Sequence, residues 1–229
     1  MSAQPNTFEQ IRRWRDSLYD GSGIPTDPTH WLTQLCYELR DAGVFEDGID
    51  SDRKGRGRAI NIAVTDRDEA EKLAILQVRE ARFRPGRYTR VRKDYYLIGR
   101  IETGAPFAHP ITELATARTT VRQALAKIWD CDPRDLDDIE RQGDIALIPV
   151  RHPPANAERI TDDVILRDSH RLRGEVYRAA DGTYYTRGRA WLVHLRGEHP
   201  TVTPRSSGWR RVQLALRGRL WGHSSPTAD

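Results

Sequence analysis

At 229 residues, 31% of them charged and 38% hydrophobic, the chain is long enough for one sizeable core or two small ones. No run of eighteen apolar residues occurs, and the opening MSAQPNTFEQIRRW holds no apolar segment, so neither a spanning helix nor a secretory signal is expected. Cys36 and Cys131 lack metal-type spacing, and the expectation is a reduced, cytoplasmic protein with no membrane partner.

The first helix is expected over 7–20, where Phe8, Ile11, Trp14 and Leu18 recur at helical spacing before Gly21-Ser22-Gly23. A second has Asp27 as N-cap, Pro28 at N1, Trp31, Leu35 and Leu39 on one face, and Gly43 at its end. Residues 46–58 read as a solvated polar connector with a basic end, the alternative being a phosphate-contacting loop, and 59–64 as a strand. A third helix is expected over 66–82, with Ala70, Leu73, Ala74 and Val78 along one side. The stretch 82–93 then interleaves Arg82, Arg84, Arg87, Arg90, Arg92 and Lys93 with Phe83 and Tyr88. Arginines that meet phosphate and rings that stack on bases are what a single-stranded nucleic acid needs. The bland alternative is an exposed edge strand whose charges discourage pairing with other chains.

Strands are expected at 95–99 and 107–110, a helix over 112–129 and a short helical turn from Pro133 to Ile139. Gly143-Asp144 then turns into the apolar run Ile145–Ile148, and further strands fall near 163–167, 173–179, 183–188, 190–196 and 207–217. Asp181-Gly182 reads as a two-residue hairpin. The fold class is therefore α+β: a helical and mixed α/β part over 1–138, a small antiparallel β-barrel or sandwich over 139–223, and a tail over 224–229.

Net charge totals +4 but alternates along the chain: −5 over 1–50, +6 over 51–110, −3 over 111–150 and +6 over 151–229. The basic residues are almost all arginine, the better phosphate fork; Lys54, Lys72, Lys93 and Lys127 are the only lysines. A GC-rich genome would give the same bias.

Residues capable of chemistry gather in the C-terminal half. Asp168 and His170 stand two apart, on one face if the segment is extended. His194, Glu198 and His199 flank a turn at Gly197. Asp168, His170, His194 and His199 together are a candidate ligand set for a divalent metal such as Zn²⁺ that would activate water, with Glu198 and His170 as the candidate catalytic residues of a hydrolase-like enzyme and Glu198 as its general base. The bland reading scatters these histidines over strand ends. No Walker loop, GxGxxG or GxSxG is present. The order RQGDIALIPV, SHRLRGEVY, VHLRGEH resembles a group of small bacterial and phage proteins of uncharacterised function. These show a QGD-plus-apolar strand, a Gly-His-x-His-Arg segment and a later segment ending in Glu-His. The resemblance covers roughly 139–217 and falls on Gln142, Gly143, Asp144, His170, Arg171, His194, Glu198 and His199; Asp168 stands where the pattern has its first histidine. It implies the β architecture and no activity. The leading functional expectation is a non-catalytic module that contacts nucleic acid or a nucleoprotein assembly. The alternatives are the metal-dependent enzyme and a protein-only subunit anchored by Trp191, Trp209 and Trp221.

Overall fold

The computed structural model describes residues 23–45, 48–51, 56–83, 90–101, 104–112, 114–160, 163–197 and 200–215. The helix expected over 7–20 lies outside them. The chain divides into two compact units, Met1–Ala124 and Leu125–Asp229. Among the described residues no helix is long and apolar enough to cross a membrane.

In the first unit, helix α1 (Trp31–Asp41) buries Leu32, Leu35, Cys36 and Leu39, the stripe that helical spacing dictates. Its cap is not Asp27. That carboxylate closes the preceding turn by accepting from the Thr29 N–H at 2.8 Å, and His30 caps the helix, its Nδ1 accepting from the Leu32 N–H at 3.2 Å. Gly43, at φ +72°, ends the helix as expected, in a left-handed conformation that costs glycine little.

Strands β1 (Gly48–Ser51), β2 (Gly57–Asp68), β3 (Leu73–Phe83), β4 (Arg90–Arg100) and β5 (Pro106–Pro110) pair in sequence order as an antiparallel sheet. The described part of this unit is thus β-rich, which corrects the expected helical N-terminal part. The third helix is the end of β2, a turn and β3. Asp68 accepts from the N–H groups of Ala70 and Glu71 at 3.0 Å, and Lys72 takes φ +52°, so the chain reverses where a helix was expected. Ala74, Ile75, Leu76 and Gln77 are then all fully buried. A helix buries one stripe; a strand sends alternate side chains to both faces of its sheet, so four consecutive buried positions fit a strand, and that wins over the helix propensity of the neighbouring Glu, Lys and Ala.

One face of the sheet, with Ile62, Ala74, Leu76 and Ile98, packs against α1. The other carries a buried polar row, in which Gln77 Nε2 donates to the Tyr95 hydroxyl and Gln77 Oε1 accepts from Arg79. Helix α2 (Val121–Ile128) is shorter than the helix expected over 112–129. Thr120 and Gln123 form a reciprocal capping box: Thr120 Oγ1 accepts from the Gln123 N–H at 3.2 Å, and Gln123 Oε1 from the Thr120 N–H at 3.0 Å. That pair sets the start at Val121.

In the second unit, Asp132 caps a 3₁₀ turn (Pro133–Asp138) where a helical turn was expected. Strands β6 (Glu140–Gln142), β7 (Ile145–Val150), β8 (Glu158–Ile160), β9 (Val164–Leu166), β10 (His170–Arg178), β11 (Tyr184–His194) and β12 (Trp209–Leu214) follow. They form one antiparallel sheet in the order β6-β7-β12-β11-β10-β8, with β9 also on β10; the sheet does not close into a barrel. A bulge between Gly174 and Glu175 bends the β10–β11 pair. Ile145, Leu147, Val164, Leu166, Leu172, Val176, Leu192 and Val212 form the core. The hairpin at Asp181-Gly182 has a three-residue loop rather than two: Ala179 and Thr183 close it, and Gly182 sits at φ +87°. A buried Arg210–Glu140 ion pair at 3.2 Å ties β12 to β6.

Candidate functional site

The turn Gln142-Gly143-Asp144 organises one end of the second unit. Gly143 takes φ +56°, which reverses the chain between β6 and β7. The Asp144 carboxylate then binds the Arg167 guanidinium, whose other arm donates to the Ala215 carbonyl at 3.3 Å. Arg167 and Asp168 hold φ +48° and +56°, so two non-glycine residues in succession occupy the left-handed region between β9 and β10. Gln142, 2% exposed, donates from Nε2 to the Pro200 carbonyl. The motif thus holds both the turn before His170 and the segment after His194.

His170 and His194 are cross-strand partners on β10 and β11 and point to the core side of the sheet, each 4% exposed. Their ring centroids lie 4.7 Å apart at 85°, edge to face. Ser169 Oγ lies 2.9 Å from His170 Nδ1, which fixes the ring and leaves Nε2 buried on the interior side. The Leu195 N–H donates to the Ser169 carbonyl at 2.7 Å, locking the two strand ends together. Of the expected ligand set, the structure brings these two histidines together. Asp168 is not with them: the left-handed turn breaks the extended geometry that would have put it on the same face as His170, and its side chain is exposed. Glu198 and His199 lie outside the described residues. Among the described residues no three His, Cys, Asp or Glu side chains gather as a metal site. Ser169 and Arg167 had no sequence signal, because their roles follow from turn geometry.

The expected nucleic-acid residues fall on the first unit. Arg84, Arg87 and Tyr88 lie outside the described residues, and of Arg90 only the backbone is described. Arg82 and Arg92 share one face, where Arg82 pairs with Glu80 at 2.6 Å and Arg92 with Asp94 at 3.1 Å. Glu80 also binds Arg58 at 3.0 Å. Burial pushes the Glu80 carboxyl up, but the hydrogen bond from Arg82 and the charges of Arg58 and Arg82 outweigh it and hold it below the usual range. Lys93 stands opposite Arg79 on the other face. Cys36 is a core residue whose thiol burial pushes up to about 11, and burial likewise raises Cys131, which removes both as ready nucleophiles. No family model, curated protein or solved structure matches this chain.

Proposed function

We propose that the chain is a non-catalytic nucleic-acid-binding module of bacterial or phage type, which grips phosphates at one end of its first sheet. The observation that carries this reading is topological. In the meander, Ser51 pairs with Gly57, Gly57 with Phe83 and Arg82 with Arg90, so both the 52–56 and 84–89 connections join strand ends in one row. By sequence those connections add Arg53, Lys54, Arg56, Arg84 and Arg87 to Arg58, Arg82 and Arg92. The described ends of two basic stretches some thirty residues apart in sequence thus stand side by side, Arg58 opposite Arg82. The acids in between do not cancel them at the surface: the Glu80 and Asp94 side chains are 7% and 8% exposed, whereas that of Arg82 is 71% exposed and that of Arg92 50%. The carboxylates sit at the base and the guanidiniums face solvent, a positive field suited to a polyanion.

The test is titration of labelled single-stranded oligonucleotides over a range of salt. The logarithm of the binding constant falls with log salt by about 0.7 per phosphate neutralised. The double variant Arg82→Ala, Arg92→Ala weakens all sequences alike and lowers that slope by roughly one to two. Binding that ignores salt, or no binding at low salt, ends this reading.

The His170–His194 contact favours a second reading, a centre for a divalent transition metal. Imidazole suits Zn²⁺ and its neighbours, and a metal-binding histidine commonly has its other nitrogen hydrogen-bonded, as His170 has to Ser169. Elemental analysis of purified protein then finds about one ion per chain, lost in both His170→Ala and His194→Ala. Metal-free wild-type protein that melts identically with and without chelator leaves the histidines as a packing pair.

A further inference from the structure

The second unit carries a surface that the reading above does not use. With Leu172, Val176, Leu192 and Val212 turned into the core, alternation sends the odd-numbered residues of β10, β11 and β12 to the opposite side of the sheet. There Trp209 stands opposite Arg187 and beside Tyr177. The Arg187 guanidinium lies 5.4 Å from the Trp209 ring centroid, and the Tyr177 and Trp209 rings meet edge to face at 4.8 Å. Farther along β11, past the bulge, Trp191 is 40% exposed and pairs across the ladder with Arg173. Arg159 on β8 pairs with Tyr177 in the same way. This face sets an arginine beside each aromatic ring.

We infer that this outward face is a stacking platform for unpaired bases of a single-stranded nucleic acid. Trp191 and Trp209 receive base rings, and Arg159, Arg173 and Arg187 meet the phosphates between them. The choice of occupant rests on charge complementarity. Among the described residues Asp163, held by Arg171 and Arg173, Glu175, held by Arg159, and Asp130, held by Arg211, are acids paired with this face, and these arginines with Arg187 outnumber them. Every base has a π-face, so indole platforms bind single strands with little regard to sequence, and a guanidinium stacked on indole adds attraction for the anionic chain. A duplex keeps its bases stacked inside and offers this surface only phosphates. The inference rests on the nucleic-acid reading and adds a strand preference and a second contact region.

The experiment compares a fluorescein-labelled deoxythymidine 20-mer with a duplex of equal length by anisotropy, using the full chain. Trp191→Ala, a substitution at an exposed site, raises the Kd for the single strand roughly tenfold and leaves the duplex within about twofold. Trp191→Phe, which keeps a ring, restores most of the affinity. Because Trp209 packs on Tyr177, it is tested as Trp209→Phe, with a smaller expected loss of the same selectivity. A single strand bound equally well by wild type and Trp191→Ala overturns the platform while the phosphate-contact reading stands. Absence of any binding to either oligonucleotide removes that reading first. Self-association in sedimentation without oligonucleotide, abolished by Trp191→Ala, assigns the face to a second copy of the chain and also overturns the inference.

Discussion

Arg167 shows how one residue can be costly locally and required regionally. A non-glycine side chain at φ +48° raises the local energy by about 1 kcal/mol or more, and Asp168 at +56° repeats the cost. The Asp144 carboxylate compensates by clamping the guanidinium, which is partly buried. Asp144→Ala would leave that cation without its carboxylate and the strained turn without its anchor. The expected loss is about 1–3 kcal/mol, read as a lower denaturant midpoint at unchanged slope. The His170–His194 ring contact should loosen with it, because Ser169 and His170 follow directly from the turn. An Asp144→Ala protein with the wild-type midpoint would mean that the turn holds its shape without the ion pair. The residues of the QGD motif were legible in the sequence. Their clamping of two separate loops was not, because Arg167 and Pro200 lie far from the motif along the chain.

At the scale of elements, legibility followed periodicity and failed where two periodicities competed. The stripe of α1 and the apolar strand β7 were unambiguous, as was the 3₁₀ turn opened by Pro133. Apolar positions of the expected strands, Ile145, Leu147, Val164, Leu166, Val176, Leu192 and Val212, are all in the core of the second unit. The run over 66–82 satisfied a helical stripe through Ala70, Leu73, Ala74 and Val78. It is nonetheless a turn and a strand, because a strand's period of two places Ile75 and Gln77 on the second face, where both are buried as well. Strands β6 and β8 escaped notice because their sequences, ERQ and ERI, carry almost no apolar signal; they are strands by virtue of their partners β7 and β10. The candidate site was half legible for the same reason. His170 and His194 were named from residue type, and strand pairing set them opposite each other. Asp168 was lost to a left-handed turn, which a single sequence does not announce. The basic end of the first sheet needed the meander before its two stretches could be seen as neighbours.

Across the whole molecule the two units share antiparallel pairing but differ in how far along the chain each pair reaches. The first sheet joins strands in sequence order, so Leu76 and its partner Tyr96 are only 20 positions apart. The second places β12 between β7 and β11, and Leu147 pairs with Val212 across 65 positions. The buried Glu140–Arg210 ion pair spans 70. Closing a longer loop costs more chain entropy before any contact rewards it, and folding rates fall as mean contact separation grows. The meander of β2, β3 and β4 is therefore expected to form first and the β7–β12 pairing last. Pulsed hydrogen exchange during refolding tests this at single amides. Protection of Leu76 and Leu97 should precede that of Leu147 and Val212 by a factor of ten or more in time. Glu140→Gln should leave the early phase untouched, because its partners Arg205 and Arg210 both belong to the long-range closure. Simultaneous protection of all four amides would mean that the units fold as one cooperative body, with the contact separation of the second setting the rate of the first.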